Sequence, residues 1–220
     1  PNLTAWSGID ALTHSIEAFV SVFATEFTNP YALESLRLIF KYLETSVKEG
    51  DKNQKAKEKM HYAATISGIA FANSFLGICH SMAHKLGAEF NLPHGLANAL
   101  LINEVIRFNA TSAPRKQAIF PQYRYPEAIQ RYARIVDYLG LGGNTNEEKV
   151  EALIQAIERL KEAIGIPASI KLAGVNEKLF YEKLDQLAEL AFDDQCTGAN
   201  PRYPSIDELK KIYIKAFDKK

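Results

Sequence analysis

Apolar positions recur every three or four residues along most of the chain. From Ile9 onward, Leu12, Ile16, Phe19, Val20 and Phe23 fall at helical spacing, with Asp10, His14 and Glu17 on a neighbouring polar stripe. Leu3 to Ser7 ahead of them reads as an entry loop, with Thr4 a candidate N-cap. Asn29-Pro30 predicts the start of a second helix, since proline suits the first helical turn. Tyr31, Leu33, Leu36, Ile39, Phe40 and Leu43 give that helix a buried face, and Glu49-Gly50-Asp51 ends it. The charged run from Lys52 to Lys59 predicts the solvated first turns of a third helix. Ala63, Ala64, Ile66, Ile69, Ala70 and Phe71 then make this helix apolar on most sides, which predicts a place in the domain centre. His61 near its start reads as structural or exposed.

Leu96, Ala99, Leu100, Ile102, Val105, Ile106 and Phe108 mark another buried helix. Residues 109–126, with Pro114, Pro121 and Pro126 around Tyr123 and Tyr125, read as a long loop of the kind often used for function. Glu127 to Leu139 reads as helix, stopped by Gly140, Gly142 and Gly143. Thr145 and Glu148 have the spacing of a capping box for a helix reaching Ile164. Ser169 to Ala173 predicts a short helix, and Asn176–Phe192 and Ile206–Phe217 two longer ones. With no strand-like alternation and no internal repeat, the expected fold class is all-α, with no Gly-rich phosphate loop.

Composition narrows the function classes. The 220 residues are 47% hydrophobic, enough for one sizeable core or two small ones. Lys+Arg 26 balances Asp+Glu 26, so no electrostatic nucleic-acid footprint is expected. The two cysteines, Cys79 and Cys196, cannot make a disulfide framework, which suits a reducing cytoplasm. No apolar run reaches the roughly 18 residues of a membrane span, and no signal peptide opens the chain. The chain begins at Pro1 rather than Met and reads as a piece of something longer.

The stretch Gly77 to Ala99 carries the candidate chemistry. His80 and His84 share one helical face, and His94 follows a proline that can bend it back towards them. Asp10 and His14 are again one turn apart. Taken alone, Asp10 and His14 read as a solvent-facing carboxylate–imidazole pair. Three histidines within fifteen positions, joined by that pair, point instead to a metal site of N and O ligands suited to Zn²⁺ or Fe²⁺. Spacing does not decide which histidine stays outside the ligand set. Cys79 is either a ligand or a small buried hydrophobe; a helical neighbour of His80 points about 100° away, which favours the second.

Gly8-Ile9-Asp10-Ala11-Leu12-Thr13-His14-Ser15-Ile16-Glu17 resembles the first signature of the iron-dependent (group III) alcohol dehydrogenases. His80-Ser81-Met82-Ala83-His84 through Pro93-His94-Gly95 resembles the second. Phe71-Ala72-Asn73, His94-Gly95-Leu96-Ala97-Asn98 and Asp193 to Pro204 look most like the alcohol dehydrogenase part of the bifunctional aldehyde–alcohol dehydrogenase branch of fermenting bacteria. The resemblance covers essentially the whole chain.

It implies that residues 1–220 are the multi-helix C-terminal domain of the dehydroquinate synthase-like fold, without the N-terminal dinucleotide-binding domain. It implies Asp10, His14, His80 and His94 as ligands of Fe²⁺, with Zn²⁺ as the alternative. His84 is left free, facing NAD(H) and substrate, as the candidate proton relay or else as a residue packing the cofactor. Phe71 and Cys196 match positions lining the substrate pocket. The implied reaction interconverts short aldehydes such as acetaldehyde with alcohols such as ethanol in fermentation. The partners expected are the small substrate, the dinucleotide-binding domain of the same parent protein, and further copies in an oligomer or filament; no nucleic acid or membrane is expected, and the location is cytoplasmic. Two rival readings are a metal-dependent hydrolase on a helical scaffold and a non-catalytic assembly module.

Overall fold

A computed structural model describes residues 2–111 and 127–218. Among these residues there are nine α-helices and no strand: α1 (Asn2–Val20), α2 (Asn29–Glu49), α3 (Gln54–Ser74), α4 (Ile78–Phe90), α5 (His94–Asn109), α6 (Ala128–Leu139), α7 (Asn146–Ala163), α8 (Glu177–Phe192) and α9 (Ile206–Asp218). Of the loop expected over residues 109–126, residues 112–126 lie outside the described residues, and Asn109 is instead the last residue of α5. No single described helix is long and apolar enough to cross a membrane.

The core is built around α1, which packs on α2, α3 and α5. Ile9, Leu12, Ile16 and Phe19 are completely buried along it. Small residues let its neighbours come close. The Ser15 hydroxyl donates to Ser35 Oγ on α2 at 2.8 Å, and the Ser35 hydroxyl donates to the Ala63 carbonyl on α3 at 2.9 Å. Gly8 faces the Leu43 side chain so closely that a Cβ there would sit 2.2 Å from Leu43 Cδ1. α4 bridges α5 and α8, α6 pairs with α7, and α9 closes on α5 and α8.

The local signals explain most element ends. Pro30 stands in the first turn of α2. Thr145 and Glu148 make a reciprocal capping box at α7, and the Asn176 side chain caps α8. Gly140 ends α6 in the left-handed region.

Several expectations are corrected. The helix of α1 begins at Asn2, not after Ser7, so Thr4 lies inside it; Ser7 donates to the Thr4 carbonyl in place of a cap. Ser169 to Ala173 is a chain of turns rather than a helix, held by Ile170 N–H donating to the Ala216 carbonyl. Tyr31 is exposed, because the buried face of α2 runs through Ala32, Ser35, Leu36 and Ile39 instead. α3 buries one row, Ala56, Met60, Ala63, Ser67, Ala70 and Ser74, leaving Tyr62 and Ile69 exposed. It is therefore a peripheral helix with an apolar outer face, and His61 is exposed on it.

Candidate metal centre

Three helices deliver the clustered side chains. Asp10 and His14 lie one turn apart on α1, His80 sits in the first turn of α4, and His94 is the first residue of α5. Pro93 precedes α5 with extended geometry and turns the chain so that His94 comes back towards α1. Gly95 makes the approach possible. A Cβ at that position would lie 2.0 Å from the Trp6 carbonyl oxygen and 3.2 Å from Asp10 Cβ. The α1 and α5 backbones thus touch beside Asp10 and His94.

One donor atom from each of Asp10, His14, His80 and His94 lies within 4.8 Å of all the others. Asp10 is the hub. Its Oδ1 is 3.3 Å from His94 Nε2 and 3.7 Å from His80 Nε2, and its Oδ2 is 3.7 Å from His14 Nε2. The His14 ring stacks on His80, with centroids 4.7 Å apart. His80 is buried, whereas the His94 side chain keeps 43% of its exposure and forms the open side of the cluster.

The electrostatics leave most of this set in the form that binds a cation. Burial opposes charge on Asp10, but His80, His14 and His94 around it outweigh that and hold its carboxyl down at about 2. Burial pulls His14 down to about 4, and it lowers His94 as well. Burial also works against a charged His80, but Glu17 and Asp10 outweigh it and raise that imidazole to about 9.

Asn98, one turn after His94, tests the fit to a metal. Its amide nitrogen lies 2.8 Å from Asp10 Oδ1, 3.1 Å from His80 Nε2 and 3.2 Å from His94 Nε2. With His80 neutral and its proton on Nδ1, the form that binds a metal, this amide would face three acceptors with only two hydrogens. Its own Oδ1 is buried without a hydrogen-bond partner. In that form the centre is rich in acceptors and short of donors, as a cation site is. Three imidazole nitrogens and one carboxylate are the donor chemistry that a divalent Zn or Fe ion takes.

His84 lies beside the four, not among them. Its ring stacks on His94 at 5.4 Å, and its Nδ1 is 3.1 Å from Asp194 Oδ2. Asp194 also pairs with Lys85 at 2.9 Å and accepts from the Cys196 N–H at 3.0 Å. Burial works against the Asp194 charge, but these partners outweigh it and hold the carboxyl at about 2. Phe71 packs its ring 4.4 Å from that of His14. Phe71 and Cys196 line one cavity of about 210 Å³ together with Ala72, Phe75, Leu76 and Gln195. Burial pushes the Cys196 thiol up to about 12, so it is a neutral wall there. Cys79 points its sulfur at the Asn98 carbonyl, 3.6 Å away, and is a buried apolar residue rather than a member of the cluster.

The polar stripe on α1 is an enclosed one. It does not face solvent: Asp10 and His14 are largely enclosed, and Glu17 is 2% exposed. Glu17, Asn98 and Asp194 are the participants that sequence reasoning missed. Glu17 stands three residues after His14 and seven after Asp10, a spacing that places it on their face. Asn98 is likewise four residues after His94. Nothing local pairs Asp194 with His84, since 110 residues separate them. Phe75 was also missed: it ends α3 at φ 60° and ψ −176°, a region almost confined to glycine, at the rim of the cavity.

Comparison with known proteins places this helical domain. Residues 4–217 match the family described as Fe-containing alcohol dehydrogenase, C-terminal. The chain belongs to that family. It is 62% identical over 217 residues to the aldehyde-alcohol dehydrogenase of Clostridium acetobutylicum, covering 99% of this chain and 25% of that protein. It is 56% identical over 218 residues to the bifunctional aldehyde-alcohol dehydrogenase of Escherichia coli, covering 98% of this chain and 24% of that protein. Among solved structures, 1,3-propanediol oxidoreductase superposes with a TM-score of 0.85 at 35% identity, over 98% of this chain and 52% of that one. The chain thus spans about a quarter of the curated relatives named and about half of the solved one. Neither the family nor these relatives point to a hydrolase.

Proposed function

We propose that this chain is the metal-binding helical domain of a nicotinamide-dependent alcohol dehydrogenase, and that Asp10, His14, His80 and His94 hold one divalent ion, Fe²⁺ or alternatively Zn²⁺. The parent protein would add an N-terminal dinucleotide-binding domain for NAD(H). The reaction would interconvert short aldehydes, acetaldehyde among them, with their alcohols in fermentative metabolism. Both cysteines are free thiols, in keeping with a reducing cytoplasm. The observation that carries the reading is the convergence of four N and O donors around an acceptor-rich point in a member of this family.

When bound, such an ion supplies Lewis acidity for a carbonyl or alkoxide oxygen. The chain's own residues do the rest. His94 and His84 form the open side, where cofactor and substrate would reach the site. Asp194 accepts from His84 Nδ1–H, which leaves Nε2 as the ring nitrogen free to hold or pass a proton. Phe71, Phe75 and the neutral Cys196 thiol give the neighbouring cavity apolar walls, suited to a short alkyl group and to keeping water out.

Metal content and aldehyde-dependent NADH oxidation by the parent protein test this. His14→Ala should lose both. His84→Ala should keep the metal and turn over about 10²–10⁴-fold more slowly. Full metal occupancy in both His14→Ala and His94→Ala would overturn the ligand set.

A further inference from the structure

Glu17 is a buried carboxylate beside the centre, with both oxygens committed. Its Oε2 lies 2.5 Å from His80 Nδ1, and its Oε1 accepts from the Cys79 N–H at 2.7 Å. Gly77, at the N-cap of α4, has no side chain to offer that helix's free N–H groups. Its lack of a Cβ is what admits the carboxylate, because a Cβ there would meet Glu17 Oε1 at 2.9 Å and Asn200 Oδ1 at 2.7 Å. Glu17 therefore ties α1 to the positive end of α4 at the residue preceding His80.

We propose that Glu17 is a positioning residue of the metal centre, holding His80 with its proton on Nδ1 so that the Nε2 lone pair faces Asp10, His14 and His94. This inference rests on the metal reading above. A carboxylate can only accept, so the hydrogen between it and His80 belongs to Nδ1, and Nε2 is left as the donor atom. Glu17 also supplies a second negative charge. A divalent ion with Asp10 alone would leave one net positive charge in a largely buried site, and Glu17 cancels it. An amide cannot replace it. With its NH₂ towards His80, a glutamine reverses the tautomer; with its NH₂ towards Cys79, it sets two donors against each other.

The test uses the 220-residue chain with Co²⁺ and Zn²⁺ as probes. Competition against a chelator should give Glu17→Gln a Kd about 10–100-fold weaker than wild type. Its Co²⁺ visible spectrum should change as His80 loses its fixed orientation, whereas a merely structural role would lower the metal-free melting temperature and leave that spectrum alone. In the Zn²⁺-loaded wild-type chain, ¹⁵N spectra of the imidazoles should show His80 bound through Nε2 with a protected proton on Nδ1. That spectrum decides the matter even where the variant does not fold. Equal Kd values and identical Co²⁺ spectra, or His80 bound through Nδ1, would overturn this inference alone. Failure of the wild type to take up either metal would overturn the metal reading, and this inference with it.

Discussion

Asp194 shows how a carboxylate far away in sequence can shape a histidine. It is held charged by Lys85, His84 and the Cys196 N–H, although its side chain is only 7% exposed. Its carboxyl is lowered from 3.8 to about 2 in the fold. A carboxylate with a depressed folded pKa stabilises the protein fully above its unfolded value, and that contribution is lost as the pH falls through the folded one. Urea unfolding of the metal-free chain should therefore lose stability more steeply between 3.8 and about 2 in wild type than in Asp194→Asn. Parallel curves over that window would show that the carboxylate is not held charged by the fold. The same residue illustrates what spacing cannot reveal. His80, His84 and His94 announce themselves within fifteen positions, while the partner that orients His84 comes from a loop beyond α8 and carries no local signature.

At the scale of elements, helix identity was legible where an apolar stripe and a cap agreed. The capping box of α7 and Pro30 of α2 are examples. The stripe on α1, taken alone, was ambiguous because hydrophobic periodicity separates apolar from polar faces, not buried from exposed ones. A polar face enclosed against α4 and α5 has the same pattern as one in water. α3 failed in the opposite sense: its apolar residues surround the helix, but a single row of mostly small residues is buried, and Tyr62 and Ile69 are not. The contact between α1 and α5 was legible only as the glycine after His94. Its meaning is steric, for an alanine at Gly95 would press on the Trp6 backbone, which cannot rotate aside. Gly95→Ala should cost stability at the upper end of the roughly 1–3 kcal/mol typical of overpacking. It should also weaken metal binding by moving His94 away from Asp10. Chemical denaturation with metal titration checks both; a change below about 1 kcal/mol with unaltered affinity would contradict the close-approach argument.

At the scale of the whole molecule, the proposed centre joins α1, α4 and α5, so an ion there would crosslink the middle of the fold. An ion that binds only the folded chain stabilises it by mass action, by about 2.7 kcal/mol at a hundredfold excess over Kd. Chelation should thus lower the melting temperature of the loaded chain, and re-addition of metal should restore it. An unchanged melting curve after confirmed metal loss would place any ion outside this junction. The described structure holds a second, smaller group of metal-capable residues, His84, Asp194 and Cys196. Asp194 is already neutralised by Lys85 there, which makes it the poorer host for a cation.

Anomalous diffraction from crystals of the chain grown with Zn²⁺ distinguishes the two directly. One peak is expected about 2.0–2.2 Å from an Asp10 carboxylate oxygen and from one nitrogen of each of His14, His80 and His94. A peak between His84, Asp194 and Cys196 with none at Asp10 would contradict the proposed ligand set.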